Sequence, residues 1–267
     1  MSGPDAGDRP RVTVERRGGV LLIGLDRPEK RNAADLRMLR ELALAYGRLD
    51  DDPGLHVGLV FAHGDHFTAG LDLTDVLPAV TDTGLDIVPE GGVHPWQVDG
   101  RSLTKPVVLA VQGTCLTLGV ELALASDIVI ADETARFGQI EVSRAILPFG
   151  GATTRLPRRA GWGDAMRYLL TGDLFGAEEA RRIGVVQEVV PEGAAFDRAL
   201  RLAERIAAQA PLAVQATLAN ARLAVREGDA AAEASLQPEL VRLLGTDDAR
   251  EGVAAFTERR DPRFSGS

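Results

Sequence analysis

The chain predicts an α/β fold. Short apolar runs of strand type alternate with segments whose apolar residues recur at helical spacing, and Gly- or Pro-containing breaks separate them. Near the N-terminus, VTVERRGGVLLIGLDRP reads as two short strands around Gly18 and Gly19, a hairpin signal. A helix follows. Asn32 is its expected N-cap, and Leu36, Leu39, Ala43, Tyr46 and Leu49 recur on one face until DDDPG breaks the pattern. VGLVFA and VVLAV are strand-type runs, each leading towards a Gly-containing turn and a helix. Between them, residues 77–105 are punctuated by Pro78, Gly84, Pro89, Gly91, Gly92, Pro95 and Gly100, so an irregular segment is expected there. Loops of that length inside compact domains are often functional. From Phe196 onward the chain is rich in Ala, Leu, Arg and Glu, and reads as several helices interrupted near Pro211, Gly228 and 245–248.

Length allows one large domain, or one plus an extension. Thirty basic residues against thirty-nine acidic ones give a formal charge of −9, which disfavours nucleic acid or an anionic membrane surface as the main partner. No run approaches the roughly 20 apolar residues of a membrane span. The start, MSGPDAGDRPR, lacks the apolar stretch of a secretory signal, so a cytoplasmic protein is expected. Cys115 is the only cysteine; it excludes an intrachain disulfide, and in its apolar turn it reads as a buried small residue rather than a nucleophile. His63 and His66 form an HxxH pair, but no Cys, His or carboxylate cluster completes a metal site nearby. They are expected at the surface, and no metal is expected.

Glu121 and Glu141 carry the strongest functional signal. Both stand among glycines and otherwise apolar residues, in GTCLTLGVELALASDIVIADETARFGQIEVSRAILPFGGATTR at 113–155. Ionised carboxylates are costly to bury without partners, so a glutamate in each of two such runs points to a site. A structural reading competes, in which one or both form buried ion pairs with an arginine of the run Arg155, Arg158, Arg159.

This stretch resembles the signature of the crotonase superfamily, the enoyl-CoA hydratase/isomerase proteins. The resemblance continues in order through RPEKRNA at 27–33, HFTAGLDL at 66–73, KPVVLAVQG at 105–113, LLTGDLFGAEEARRIGVVQEVV at 169–190 and DAREGVAAFTERRDPRF at 248–264. It implies a crotonase-like spiral of repeated ββα units over residues 1–200, holding a CoA-thioester site. Residues 201–267 would form a helical region packing on the core and on neighbouring subunits, in a homotrimer or a hexamer built as a dimer of trimers. It also implies an acyl-CoA thioester substrate, with no metal or redox cofactor beyond the substrate's own coenzyme A.

Hydrating a 2-enoyl thioester, or moving its double bond, places negative charge on the thioester oxygen. Preorganised peptide N–H groups stabilise such an oxyanion, one donor contributing about 10²- to 10³-fold in rate. By resemblance these are the N–H groups of Leu71 and Leu118. Glu121 and Glu141 match the two catalytic glutamates of family hydratases, one activating water and the other delivering a proton to the α-carbon. Coenzyme A would be gripped by Lys30, Arg31 and Ala33, and by Ala69, Gly70, Asp72 and Leu73, with Lys30 and Arg31 as phosphate partners. Asp72 is also read as a helix cap or loop brace, without acid/base chemistry. By position, His66 would lie near the coenzyme A phosphates.

Several residues depart from the family pattern. Thr117, Leu118 and Gly119 stand where three glycines are usual, and Phe149 follows Pro148 where hydratases carry a glycine that positions water. Arg144 stands just beyond Glu141, either receiving a polar acyl chain or pointing to solvent. Trp96 either lines the acyl pocket or packs structurally. The resemblance thus implies hydration of a 2-enoyl-CoA; an enoyl-CoA isomerase and a CoA-thioester-binding protein with little catalysis are the competing readings.

Overall fold

The computed structural model describes residues 9–82 and 84–267. The polar start, residues 1–8, lies outside them. In chain order the elements are β1 (Val12–Arg17), β2 (Val20–Leu25), α1 (Leu36–Asp51), β3 (Val57–Ala62), α2 (Leu73–Val76) and β4 (Val107–Val111). There follow β5 (Thr114–Leu116), α3 (Leu118–Ala125), β6 (Ile128–Asp132), β7 (Arg136–Gly138), α4 (Ala152–Ala160), α5 (Trp162–Thr171), β8 (Phe175–Gly176), α6 (Ala177–Arg182) and β9 (Glu188–Val190). The chain ends in α7 (Ala195–Ala207), α8 (Pro211–Glu227), α9 (Asp229–Leu244) and α10 (Asp247–Glu258).

The predicted hairpin is present, with β1 antiparallel to β2. The large sheet has the order β1-β2-β3-β4-β6-β9 and is parallel from β2 onward. Its strands β2, β3 and β4 are apolar on both faces because both faces are covered. Period-two alternation sends Leu21, Ile23, Leu25, Val60, Leu109 and Val129 into one core, shared with Leu39, Leu42 and Leu49 of α1. It sends Val20, Leu22, Leu59, Val108 and Ile130 into a second core under Ala195, Ala199 and Ala203 of α7. A small sheet, β5-β7-β8, collects the strand that follows each of β4 and β6. The chain thus passes from the large sheet to the small sheet after β4 and again after β6, within the mixed α/β architecture expected.

Helix α1 starts later than expected. Its N-cap is Asp35, whose Oδ1 accepts from the Met38 N–H at 2.8 Å, and not Asn32. Asn32 is instead left-handed at φ 53°, and its side chain ties two loops: Oδ1 accepts from Arg27 N–H, while Nδ2 donates to the His63 and His66 carbonyls. Both residues have the short polar side chain that capping needs, and only the tertiary position of the 63–66 loop distinguishes them.

Segment 77–105 is largely irregular, as expected, but it is anchored by buried Ile87, Val93, Trp96 and Leu103. Its carbonyl at Gly91 approaches the Cα of Gly47 so closely that a Cβ there would lie 1.9 Å from the oxygen, so α1 needs glycine at that crossing. At the other end of the segment, Lys105 Nζ donates to the Leu49 and Asp52 carbonyls, capping the C-terminus of α1 with a cation. The C-terminal helices begin and end where Pro211, Gly228 and Gly245 interrupt the pattern. Arg222 of α8 reaches back to Asp127 and the Leu103 carbonyl. No helix among the described residues is long and apolar enough to cross a membrane.

Candidate active site

Two segments distant in sequence meet at the end of the small sheet. Thr68 bridges to Cys115, its N–H donating to the Thr114 carbonyl at 2.9 Å and its carbonyl accepting from Leu116 N–H at 3.0 Å. Beyond that bridge the segments turn. Gly70 adopts φ +100°, which glycine tolerates without strain, and its carbonyl accepts from Ala34 N–H. Leu71 follows Gly70; Leu118 follows Thr117 and is the first residue of α3. Neither the Leu71 N–H nor the Leu118 N–H has a protein acceptor among the described residues. For Leu118 this reflects helix geometry, because the first N–H groups of a helix have no partner within it.

Glu121 lies one turn into α3 and is only 2% exposed. Its Oε1 accepts from the N–H of Ala152, the first residue of α4, at 3.0 Å. Burial raises its pKa above the ordinary carboxylate value, while the N–H groups of Ala152, Gly150 and Gly151 and the charge of Arg155 pull the other way. Gly150 packs tightly here: a Cβ would lie 2.6 Å from Oε2 of Glu121 and 2.9 Å from the Trp96 ring, so a larger residue would displace the carboxylate or the ring. Glu141, on a short turn after β7, is 4% exposed, and burial pushes it up to about 7, with the Glu121 charge adding to the rise. Arg155 forms no ion pair with either glutamate; its guanidinium donates to the Gly150 and Gln97 carbonyls.

Sequence reasoning missed Gln139. It is fully buried, and with its amide turned so that nitrogen faces the carboxylate, it donates to both Glu141 oxygens at 2.8 and 2.9 Å and to the Thr117 carbonyl at 3.3 Å. The opposite orientation would set oxygen against acceptors only. Nothing in the local sequence separates Gln139 from a surface glutamine, because its role comes from the carboxyl it faces.

Glu121 and Glu141 face one cavity of about 200 Å³, together with Ala69, Leu71, Leu73, Leu118, Arg144 and Phe149. A second, mainly apolar cavity of about 130 Å³ adjoins it, sharing Leu71, Leu118, Glu121 and Phe149 and adding Trp96, His94, Leu85 and Ile87. Larger clefts of about 600 and 520 Å³ lie elsewhere and contain neither glutamate. Trp96 packs structurally and also walls the second cavity. It is buried, and its Nε1 donates to the Leu118 carbonyl at 2.8 Å. Arg144 and Phe149 border the first cavity while remaining exposed.

Other expected site residues lie outside these cavities. Lys30 and Arg31 are exposed on the 27–33 turn, and Ala33 and Gly70 contribute to the backbone stitching beside it. Asp72 braces the loop: its carboxylate pairs with Arg27 at 2.8 Å and accepts from Thr74, and these bonds hold its pKa below the usual value. The surface expectation for His63 and His66 is corrected. Both are partly buried, His63 Nε2 lying 2.8 Å from Thr13 Oγ1 and His66 Nδ1 accepting from Thr114 N–H. Cys115 is wholly buried, and burial raises its thiol pKa far above the reactive range. No group of three or more metal-binding side chains occurs among the described residues.

Comparison with known proteins identifies the family. Residues 15–267 match the family model described as enoyl-CoA hydratase/isomerase. An enoyl-CoA hydratase of Mycobacterium tuberculosis is 37% identical over 98% of this chain and 97% of its own. The 2,3-dehydroadipyl-CoA hydratase of Escherichia coli is 34% identical over 96% and 98%. The crystal structure of a probable enoyl-CoA hydratase/isomerase from Mycobacterium abscessus superposes with a TM-score of 0.93 at 57% identity, covering 96% of this chain and 99% of that one. Fold, site geometry and full-length similarity together make this chain an enzyme of the enoyl-CoA hydratase/isomerase family, in the crotonase superfamily.

Proposed function

We propose that this enzyme adds water to a 2-enoyl-CoA thioester through an enolate, with Glu121 and Glu141 as its acid/base pair and the Leu71 and Leu118 N–H groups as its oxyanion hole. The observation that carries this reading is the convergence of two buried, pKa-raised carboxyls on one cavity beside two unengaged peptide N–H groups. Near neutral pH such a pair holds a proton on one carboxyl while the other is ionised. The ionised carboxyl draws a proton from water as its oxygen attacks the β-carbon. Charge then accumulates on the thioester oxygen, where the Leu71 and Leu118 N–H groups stabilise it. The protonated carboxyl delivers its proton to the α-carbon, giving the 3-hydroxyacyl-CoA. Gln139 supports the reading by fixing the Glu141 carboxyl from behind.

Exposed Lys30 and Arg31 would meet coenzyme A phosphates, with Ala33, Ala69, Gly70 and Leu73 lining the approach and the Asp72–Arg27 pair bracing it. Trp96, Phe149 and Arg144 would border the acyl group. No metal or redox group enters this chemistry. A division into a spiral core over 1–200 and an oligomerising helical region over 201–267 is supported by the exposed Leu240, Leu244, Val253 and Phe256 of α9 and α10, which suit a homotrimer or a dimer of trimers. A cytoplasmic setting, with its acyl-CoA pool, suits the free thiol of Cys115.

The test is absorbance at the conjugated enoyl thioester band with crotonyl-CoA and longer 2-enoyl-CoAs, comparing wild type with Glu141→Gln. Loss of the band, dependent on the glutamate and yielding 3-hydroxyacyl-CoA, supports hydration. No loss across the panel refutes it. Double-bond migration in its place would favour the isomerase reading, to which Phe149 bordering both cavities lends support.

A further inference from the structure

Thr117 carries two unfavourable features at once. Its backbone sits at φ 49°, ψ −113°, a left-handed region that β-branched residues rarely occupy. Its hydroxyl is buried and has no hydrogen-bond partner. Residues held in sparsely populated conformations persist where the surroundings over-determine them, and they cluster at functional sites. An orphaned buried hydroxyl adds to the cost.

The surroundings of Thr117 are the two strands of chain that present the unengaged N–H groups. Its backbone N–H donates to the Gly138 carbonyl at 2.8 Å, and its carbonyl accepts from Glu121 N–H and from Gln139. Its side chain lies against the Cα of Gly70: a Cβ built there would be 2.3 Å from Oγ1 and within 3.6 Å of Cβ and Cγ2. Gly70 is itself held at both ends, its N–H donating to Thr68 Oγ1 and its carbonyl accepting from Ala34. The peptide bond after Gly70 bears the Leu71 N–H, and the peptide bond after Thr117 bears the Leu118 N–H. The contact between Thr117 and Gly70 therefore joins the two residues that immediately precede the donors.

We infer that Thr117 is a positioning residue whose β-branched side chain, wedged on Gly70, sets the separation and direction of the Leu71 and Leu118 N–H groups. This rests on the oxyanion-hole reading above. A glycine at 117 would adopt the same φ and ψ freely and would remove the orphaned hydroxyl, yet it would leave an empty space between the two arms. Local stability and catalytic geometry are thus set against each other at this position.

The experiment compares wild type, Thr117→Gly and Thr117→Val in the full-length enzyme, by steady-state kinetics, thermal unfolding and the absorbance of bound hexadienoyl-CoA. Polarisation of the thioester carbonyl by the two donors moves that absorbance to longer wavelength. Thr117→Gly is expected to lower kcat by about tenfold or more, KM changing less, and to shrink the red shift while the unfolding temperature holds. Thr117→Val, which restores the wedge without the hydroxyl, should recover most of the lost rate and red shift. A glycine variant with wild-type kcat and red shift overturns the inference. So does a valine variant no better than glycine, which would transfer the role to the hydroxyl itself. Absence of any red shift in the wild type, by contrast, refutes the oxyanion-hole reading on which the inference stands.

Discussion

Replacing Glu141 with Gln should stabilise the folded protein, and only above a particular pH. In the fold the Glu141 carboxyl titrates at about 7 in place of the ordinary 4.5, chiefly because burial penalises its charged form. Between those values the folded state binds a proton that the unfolded chain has released. Stability is therefore fully present below about pH 4.5, falls as pH rises towards 7, and stays lowered above it. The gap between the two values, at about 1.4 kcal/mol per pH unit, sets the total loss at no more than about 3.5 kcal/mol. A glutamine of the same shape has no charge to desolvate and bypasses that loss. Urea unfolding of wild type and Glu141→Gln at equal protein concentration, at about pH 5 and about pH 8.5, reads the difference. The advantage of the variant should widen by about 2.5 kcal/mol between the two conditions, a shift on the order of 1 M in midpoint. Parallel pH dependence in the two proteins would refute a raised Glu141 pKa and, with it, the desolvated acid/base pair.

In turnover, kcat/KM for hydration should show a limb with an apparent pKa near 7 that belongs to the glutamate pair, and Glu141→Gln should abolish it; a flat profile from about pH 6 to 8 would contradict the assignment. Trp96→Phe keeps most of the ring but loses the donor to the Leu118 carbonyl, so kcat should fall about 2- to 10-fold without unfolding, as steady-state kinetics and circular dichroism would report. Gly47→Ala forces a Cβ into the Gly91 carbonyl and should destabilise the protein by about 1–3 kcal/mol in denaturant titration. Cys115 should resist aromatic disulfide reagents in the native protein and react only once urea unfolds it; prompt native labelling would contradict its burial.

Where a pattern repeats locally, the chain was readable. The strands β2, β3 and β4 follow from runs of apolar residues, and α1 from spacing on one face. Glu121 and Glu141 stand out because charged residues in such runs need a reason. What escaped depends on contacts between distant positions. Trp96 meets the Leu118 carbonyl across 22 residues, and Glu121 meets the start of α4 across 31, and neither spacing leaves a periodic trace. The start of α1 is not legible locally because Asn32 and Asp35 offer the same capping chemistry, and only the 63–66 loop draws Asn32 elsewhere. Gln139 looked like an ordinary polar residue; its role depends on the carboxyl it faces.

The order of the large sheet, β1-β2-β3-β4-β6-β9, bears on how the protein is made. Each strand lies beside the large-sheet strand synthesised just before it, so a chain emerging from the ribosome can add strands one at a time to a template already present. Parallel sheets are slow to form when their partners are far apart in sequence, and this ordering shortens every search to the nearest available edge. The exposed growing edge moves with synthesis until β9 arrives. The face bearing Val20, Leu59 and Val108 stays uncovered until α7 follows, so that helix is the point at which this face of the sheet in a nascent chain is closed to aggregation.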